Sequence, residues 1–140
     1  MARIEVTQDF ALPVQRVYAF LSEHENLGPL FGARIERVRD GDVSRNGEGS
    51  VRRLKVGPLP AFEETVTRAV PDELGAYRIT KGPTPLRDHR GEMRFSATPS
   101  GSRLVYVIEF GAVLPLLDKV IAAVLERNVR RGLATVDATA

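Results

Sequence analysis

The sequence predicts an α+β fold in which a curved seven-stranded antiparallel sheet wraps around one long C-terminal helix. The first observation behind this prediction is a single long helical pattern over residues 115–136. The second is that most of the chain before it consists of short strand-like segments separated by turns rich in Gly, Pro and Asp, which is typical of an antiparallel meander. Only a sheet can cover the apolar stripe of such a helix, so the two features predict one layered domain over residues 1–140.

The C-terminal helix is predicted from Pro115 to about Val136. Apolar residues recur at three- and four-residue spacing on one face, and charged residues lie on the other. Pro115 suits a first helical turn, because the missing N–H is not needed there. Asp118 near the start and Arg130 near the end complement the helix dipole. The apolar face comprises Leu117, Ile121, Val124 and Leu125.

The elements before this helix can be placed in order. The first strand is predicted over residues 4–10 and is followed by two short helices, one beginning at Pro13 and a weaker one over residues 22–32 that is interrupted at Gly28. Asp and Gly after residue 39 mark a turn. The remaining six strands are predicted over residues 34–40, 49–56, 62–70, 74–81, 89–97 and 102–110.

The charge balance argues against a nucleic-acid partner. The chain has 20 basic and 18 acidic residues, which gives a net charge of +2. The two signs are interleaved, as in residues 34–37 (RIER) and 88–92 (DHRGE), whereas nucleic-acid binders normally present a one-sided basic face. The charged run over residues 34–40, which includes Arg37, is interpreted as a solvated strand face.

Composition also limits the compartment and the chemistry. The chain has no cysteine, which excludes disulfides, thiolate zinc sites and a Cys nucleophile. The N-terminal residues lack the apolar core of a signal peptide, and no run approaches the roughly 18 apolar residues of a membrane span. We therefore expect a cytoplasmic protein without a membrane span. His24 and His89 lie far apart in sequence and lack metal-ligand spacing, so no metal and no cofactor is expected.

Five segments give the chain a resemblance to a known family. They are residues 14–21 (VQRVYAFL), 63–68 (EETVTR), 71–79 (PDELGAYRI), 89–98 (HRGEMRFSAT) and 101–110 (GSRLVYVIEF). With these segments the chain resembles the polyketide cyclase/dehydrase-like family of the START-like, or SRPBCC, helix-grip superfamily. The resemblance covers nearly the whole chain and implies the helix-grip fold. It implies no catalytic residues, because members of the superfamily share a cavity and differ in what fills it.

The resemblance implies a ligand cavity between the sheet and the long helix. We expect a small hydrophobic or aromatic molecule to occupy it, in a protein that is a monomer or a homodimer. The predicted apolar wall comprises Met93, Phe95, Tyr106, Ile108, Leu117, Ile121 and Val124. The predicted polar groups are Tyr77, His89 and Asn128, with Arg53 and Glu64 as further candidates.

Two interpretations of His89 stay open from the sequence. The resemblance places the preceding loop at one end of the cavity, where an imidazole can act as acid or base near neutral pH. Its position between Asp88 and Arg90 equally suits an exposed turn residue. His24 lies in a segment rich in charge, over residues 22–26, and is predicted to be solvated.

Tyr77 and Tyr106 lie on strands predicted to border the cavity. A phenol can orient a carbonyl or phenolic ligand through one hydrogen bond. The alternative is that each ring packs in the core with its hydroxyl at the rim, because aromatic residues suit strands. Tyr106 is the better candidate, since the residues that alternate with it on the same face are all apolar.

Glu64 becomes a buried carboxylate if the Phe62 and Val66 face of its strand points inward. Such a group needs a cation or a raised pKa, and Arg53 on the preceding strand is a possible partner. A set of Glu64, His89 and Tyr106 is adequate for proton transfer beside a carbonyl, and equally adequate for holding a polar ligand.

Asn128 interrupts the apolar stripe of the long helix, since it lies four residues after Val124 and seven after Ile121. An unpaired buried amide costs about 1–3 kcal/mol. Asn128 therefore either bonds to backbone or water near the end of the stripe, or faces a ligand cavity.

Three functions remain open from the sequence. The first is binding, and transport, of a small hydrophobic or aromatic ligand such as a lipid, quinone or polyketide. The second is a polyketide cyclase or dehydrase that works by cofactor-free general acid–base catalysis. The third is a protein-interaction module, which would show a filled cavity and an exposed apolar patch.

Overall fold

The computed structural model describes residues 1–140 and contains seven strands and four helices. The strands are β1 (Ala2–Phe10), β2 (Arg34–Arg39), β3 (Val51–Lys55), β4 (Phe62–Val70), β5 (Leu74–Lys81), β6 (Leu86–Thr98) and β7 (Gly101–Ala112). The helices are α1 (Val14–Ser22), α2 (Gly28–Phe31), α3 (Leu117–Leu133) and α4 (Val136–Thr139), with a short 3₁₀ helix over His24–Leu27.

All seven strands form one antiparallel sheet in the order β1-β7-β6-β5-β4-β3-β2. Strands β2 to β7 follow one another as hairpins, and β1 closes the order by pairing with β7 from Ala2 opposite Phe110 to Phe10 opposite Ser102. α1 and α2 lie in the connection between β1 and β2. This arrangement confirms the predicted α+β helix-grip fold.

Because neighbouring strands run in opposite directions, the connections that follow them lie alternately at the two ends of the sheet. The β3–β4, β5–β6 and β7–α3 connections lie at one end of the sheet, and the β2–β3, β4–β5 and β6–β7 connections lie at the other. We call the first of these the mouth end. A hydrogen bond from the N–H of Val113 to the carbonyl of Pro85, 3.0 Å long, joins two of its connections.

The core fills the concave side of the sheet. Alternation along β7 turns one face inward, so that residues of that face are almost fully buried while their neighbours are not. Residues of β1, α1 and the 3₁₀ helix pack against this face. The fully buried members include Ile4, Val6, Val17, Leu21, Leu27, Leu104, Tyr106, Ile108 and Phe110.

The C-terminal half of α3 belongs to this core, and partly buried residues of its N-terminal half pack against it. Val129 and Leu133 are fully buried, whereas Val120 and Val124 are 61% and 50% exposed. A Cβ on Gly132 would lie 2.8 Å from Cδ1 of Leu30, so the glycine lets α2 approach α3 closely there. The helix therefore approaches the core most closely at its C-terminal half, and Val120 and Val124 lie on the face that is turned away from the core.

The ends of several elements differ from the prediction. α3 begins at Leu117 rather than in a turn containing Pro115, because Leu116 has a left-handed backbone with φ of 66°. The helix ends at Leu133, and a turn separates it from α4. β6 begins at Leu86 rather than at His89, because Leu86 pairs with the last residue of β7. No helix of the chain combines the length and the apolar character needed to cross a membrane.

Candidate functional site

A cavity of about 580 Å³ opens between the N-terminal half of α3 and the concave face of the sheet. Its wall is mainly apolar, with contributions from strands, from the mouth-end connections and from α3. The apolar lining includes Leu54, Val56, Phe62, Ile79, Leu86, Ile108, Val120, Ile121, Val124 and Leu125. The polar lining consists of Glu64, Tyr77, Thr84, His89 and Asn128. Glu64 is the only carboxylate among these residues, and no Lys or Arg lines the cavity.

Glu64 is held by a buried ion pair with Arg52. The register of β3 and β4 sets the two residues directly opposite each other, and both side chains point to the concave face. Nε of Arg52 donates a hydrogen bond of 2.8 Å to Oε1 of Glu64. The two residues are only 3% and 4% exposed. The second oxygen of Glu64, Oε2, remains available on the cavity side.

The guanidinium of Arg52 is fixed from two further sides. Its Cζ lies 4.4 Å from the centre of the Tyr77 ring, which gives a cation–π contact. Its Nη1 donates a hydrogen bond of 3.1 Å to Nδ1 of His24. Nη2 has no hydrogen-bond partner. Arg52 does not line the cavity, so it acts on a ligand only through Glu64 and Tyr77.

His24 is fully buried, which makes the prediction of a solvated residue wrong. An arginine can only donate, so Nδ1 of His24 accepts from Arg52, and the proton of the neutral ring is on Nε2. Nε2 lies 3.2 Å from Oγ of Ser50. Burial, and then the nearby charge of Arg52, lower the pKa of His24 to about 3. The ring is therefore a neutral support for the guanidinium.

The position of His89 depends on a separation between β5 and β6. β5 and β6 pair only from Leu74 opposite Arg94 to Tyr77 opposite Gly91, and then separate. Beyond this point the N–H of Ile79 donates to Nδ1 of His89, 3.2 Å away, instead of to a strand carbonyl. The bond assigns the proton of the neutral imidazole to Nε2. Because the side chain is buried, the exposed-turn interpretation of His89 is wrong.

Glu64 and His89 meet at the base of the cavity. Nε2 of His89 lies 3.7 Å from Oε2 of Glu64. Burial lowers the pKa of His89, although the charge of Glu64 acts in the opposite direction. The pair thus presents an N–H donor beside a carboxylate oxygen. A ligand atom between them can accept from one and donate to the other.

Tyr77 connects the cavity to the core behind it. Its hydroxyl forms a short hydrogen bond with the hydroxyl of Tyr106, and burial raises the pKa of both phenols. A Cβ on Gly91 would lie 2.1 Å from Cζ of Tyr77, so the absence of a side chain on β6 makes room for the ring. Tyr77 lines the cavity, while Tyr106 supports it from behind.

Asn128 lines the cavity near the turn that ends α2. A Cβ on Gly32, which has a left-handed φ of 62°, would lie 3.2 Å from Nδ2 of Asn128. The amide forms no hydrogen bond within the protein. Of the two interpretations left open by the sequence, this position agrees with an amide that faces the cavity.

The structure brings together only part of the predicted site. Glu64, Tyr77, His89, Ile108, Ile121, Val124 and Asn128 line the cavity, whereas Arg53, Met93, Phe95, Tyr106 and Leu117 do not. Met93 and Phe95 are buried elsewhere, under α1, where the ring of Phe95 meets that of Tyr18 edge-on at 5.2 Å. Leu117 lies at the start of α3, before the helix reaches the cavity.

The predicted pairing of Glu64 with Arg53 is wrong. Arg53 lies on the outer face of β3, where its Nη2 donates a hydrogen bond of 3.0 Å to Glu63. Arg52 is the partner that sequence reasoning missed. A usable signal was present, since Arg52 alternates with the apolar Leu54 and therefore shares its inward face.

The interpretation of Arg37 as part of a solvated face is also wrong. Its side chain is 13% exposed and contacts Glu23 at 3.5 Å. It further donates a short hydrogen bond to Asn46 and one of 3.0 Å to the carbonyl of Arg45. Arg37 therefore ties β2 to the segment before the 3₁₀ helix, at a distance from the cavity wall.

Comparison with known proteins agrees with this architecture. A family model described as polyketide cyclase / dehydrase and lipid transport matches residues 1–140. A search of curated protein sequences gives no match. Similar solved structures include the Zhui aromatase/cyclase from Streptomyces sp. R1128, at 20% identity over 97% of this chain and 93% of that chain, with a TM-score of 0.76.

Two further structures show the same similarity. The di-domain ARO/CYC StfQ from the steffimycin biosynthetic pathway is 18% identical over 97% of this chain and 49% of that chain, with a TM-score of 0.76. Ara h 8.0201 is 15% identical over 98% of this chain and 95% of that chain, with a TM-score of 0.70. At these identities the structures share the fold with this chain.

Removing the charge of Glu64 is expected to destabilise the protein strongly. Glu64→Gln leaves the buried guanidinium of Arg52 without a counter-ion, and breaking a buried pair in this way costs about 3–5 kcal/mol. Glu63→Gln is the matched control, because Glu63 pairs with the exposed Arg53 and such a pair contributes about 1 kcal/mol or less. Chemical denaturation of both variants measures the difference, and equal losses would contradict a buried pair.

Acid should destabilise the protein through His24. Its pKa is about 3 in the folded protein against an ordinary 6.5, so below pH 6.5 the unfolded chain binds a proton that the folded chain excludes. The free energy of unfolding therefore falls as the pH drops, by up to about 1.4 kcal/mol per pH unit. The contribution of neutral His24 is complete above pH 6.5 and is lost towards pH 3.

Urea unfolding between about pH 7 and about pH 5 tests this dependence. His24→Gln retains an acceptor for Arg52 and a donor for Ser50 but cannot titrate, so its free energy of unfolding should depend less steeply on pH. His89 is present in both proteins and contributes equally to them. Identical slopes for the two proteins would show that His24 does not titrate as its environment requires.

Proposed function

The chain belongs to the polyketide cyclase / dehydrase and lipid transport family, and from that premise we propose that it binds a small, uncharged hydrophobic or aromatic molecule in the cavity beside α3. The observation that supports this proposal is the combination of an apolar wall, a volume of about 580 Å³ and one donor–acceptor pair at the base. Ligand sites typically combine a mainly apolar wall with a few placed polar groups.

The charges around the cavity favour an uncharged ligand. Glu64 is the only charged side chain in the lining, and its partner Arg52 lies behind it. An anionic head group at the base would face a carboxylate in a low-dielectric environment, where like charges repel strongly. A carboxylate ligand such as a free fatty acid is therefore disfavoured at this position.

The polar groups favour a ligand with a hydroxyl, or with a hydroxyl beside a carbonyl. Oε2 of Glu64 accepts a hydrogen bond, and Nε2 of His89 donates one from a position 3.7 Å away. Asn128 offers both a donor and an acceptor farther along the same wall. An interaction module with a filled core is less well supported, since the cavity is open along α3.

A matched pair of probes tests this proposal. We expect 2-naphthol to bind with at least about tenfold higher affinity than 2-naphthoate, because only the naphthol can donate to Glu64 without bringing a second negative charge. In Glu64→Gln the difference should shrink, since the repelling carboxylate is gone. Fluorescence or calorimetric titration measures both affinities.

Glu63→Gln is the control for this titration, because Glu63 pairs with Arg53 away from the cavity. It should discriminate between the probes as the unaltered protein does. Absence of naphthol binding, or equal binding of naphthol and naphthoate by the unaltered protein, would overturn the proposed ligand class.

The pairing of Glu64 with His89 also supports a second function, general acid–base catalysis of cyclisation or dehydration. In this reaction Oε2 of Glu64 removes a proton from the carbon beside a ligand carbonyl. The electron pair moves to the carbonyl oxygen, which becomes an enolate oxygen. Nε2–H of His89 donates a hydrogen bond to that oxygen and stabilises its negative charge, while the ring keeps its proton. The enolate carbon then forms a bond, takes the proton back from Glu64, or expels a hydroxyl that Glu64 protonates.

Proton exchange separates catalysis from binding. A cavity-sized aryl ketone with exchangeable α protons should exchange them in D₂O faster with the protein than in buffer, since positioned proton transfer contributes about 10²–10⁴-fold. NMR follows the loss of the α-proton signal. His89→Gln should reduce the acceleration, and Glu64→Gln should abolish it at a temperature at which circular dichroism shows that this variant is folded.

Glu63→Gln should retain the full rate of exchange, because it leaves the cavity unaltered. Exchange at the buffer rate in the presence of a bound ketone would rule out the catalytic function and leave ligand binding in place.

A further inference from the structure

The mouth end combines three segments without any charged residue. They are residues 56–62 (VGPLPAF), 82–86 (GPTPL) and 111–117 (GAVLPLL). Antiparallel alternation brings all three to the same end of the sheet, and each contributes to the cavity lining or borders a segment that does. The opening of the cavity is therefore surrounded by uncharged chain.

Most of the exposed large apolar residues of the protein are found at this opening. We call six of them the apolar rim: Leu59, Val113, Leu114, Leu116, Val120 and Val124. Leu59, Val120 and Val124 also line the cavity, so the rim is continuous with the ligand site. The other three exposed large apolar residues are Met1, Val38 and Val43. An exposed apolar patch of this kind marks an interaction surface.

Cations without partners flank the uncharged segments. Lys81, Arg87 and Lys119 are exposed and form no ion pair, and Arg127 continues the exposed face of α3 beyond Val124. Lys55 also adjoins the rim, where its Nζ bonds to the carbonyl of Gly57 at 3.0 Å.

The neighbouring acids are already paired or point elsewhere. Glu63 is bonded to Arg53, and Asp118 is buried and pairs with the N-terminal amine at 3.2 Å. Asp88 lies in a groove on the outer face of the sheet. The charge at the mouth end is therefore positive.

From this distribution of apolar and charged residues we propose that the apolar rim binds to an anionic lipid surface, so that the mouth of the cavity faces the membrane. Apolar side chains enter the interface between head groups and acyl chains, while the flanking lysines and arginines pair with anionic head groups. A second copy of the chain fits less well, because a two-fold contact through the rim would bring like charges together. A membrane also differs from a protein partner in that its acyl chains need no hydrogen-bond donors or acceptors from the proline-rich segments.

Membrane binding through the apolar rim extends the proposed function, because an apolar ligand could pass between the membrane and the cavity without crossing water. It rests on the rim and its charges alone, and not on the chemistry of Glu64 and His89. A test with the protein alone therefore separates it from ligand binding.

Vesicle co-sedimentation tests the proposal. The protein should bind vesicles of phosphatidylcholine with about 30 mol% phosphatidylglycerol at low ionic strength, and should bind vesicles of phosphatidylcholine alone more weakly. Added salt should weaken the binding, because it screens exposed charges. Leu114→Ser combined with Leu116→Asn should lower the partition coefficient by at least about tenfold, and the asparagine accepts the left-handed backbone at this position.

Matched controls come from the opposite end of the sheet. Val38→Ser combined with Val43→Ser removes two exposed apolar residues there and should leave binding unchanged. Lys119→Ala should lower the partition coefficient by about fivefold. Arg68→Ala, which removes an exposed and unpaired cation away from the mouth end, should have no effect.

Three results would overturn the proposal. The first is the absence of binding to anionic vesicles at low salt, and the second is equal loss of binding in the rim variant and its control. The third is concentration-dependent self-association that the rim variant abolishes, without vesicle binding, which would make the rim an interface between copies. Unchanged thermal unfolding of each variant shows that the fold is retained.

Discussion

The buried ion pair between Arg52 and Glu64 is the interaction on which the site depends. Two charges taken out of water are retained only because each is held by several partners: Arg52 by Glu64, His24 and the Tyr77 ring, and Glu64 by Arg52 with His89 nearby. Stability alone does not explain such a pair, because a well-packed apolar replacement is often neutral or stabilising by about 1–4 kcal/mol. The pair instead fixes a carboxylate oxygen at the base of an apolar cavity.

The residues that hold this pair and the neighbouring His89 in place come from different parts of the chain. Ser50 and Arg52 fix the tautomer of His24, and the separation of β5 from β6 fixes the tautomer of His89 through the N–H of Ile79. Both imidazoles are therefore neutral rings with one defined proton. This preorganisation lets the cavity present a defined acceptor beside a defined donor before any ligand arrives.

The fold could be predicted from the sequence because it follows from local patterns of apolar residues and turns. The site depends instead on which residues of adjacent strands lie opposite each other, as Arg52 and Glu64 do. Turn spacing and alternation located all seven strands, and the 3.6-residue period located α3. The prediction of Arg53 is wrong by one residue, and a shift of one residue along a strand moves a side chain to the opposite face of the sheet. The apolar Leu54 marks the inward face of β3, and Arg52 shares that face with it. His24 could not be identified in this way, since only the packing of the β1–β2 connection onto β3 buries it.

The exposed apolar residues of α3 show why a helical period alone cannot distinguish a core from a cavity. Val120 and Val124 lie nine residues before Val129 and Leu133, which is about two and a half helical turns, so the exposed pair and the buried pair lie on opposite faces of α3. The buried face is held near the end of the helix by Leu30, which approaches Gly132, and near its start by the ion pair between Asp118 and the N-terminal amine. α3 is thus divided into a face that packs against the core and a face that is turned to the cavity and to solvent. Because Val120 and Val124 on the open face are not used for packing, they remain available to a ligand and to the surface from which it comes.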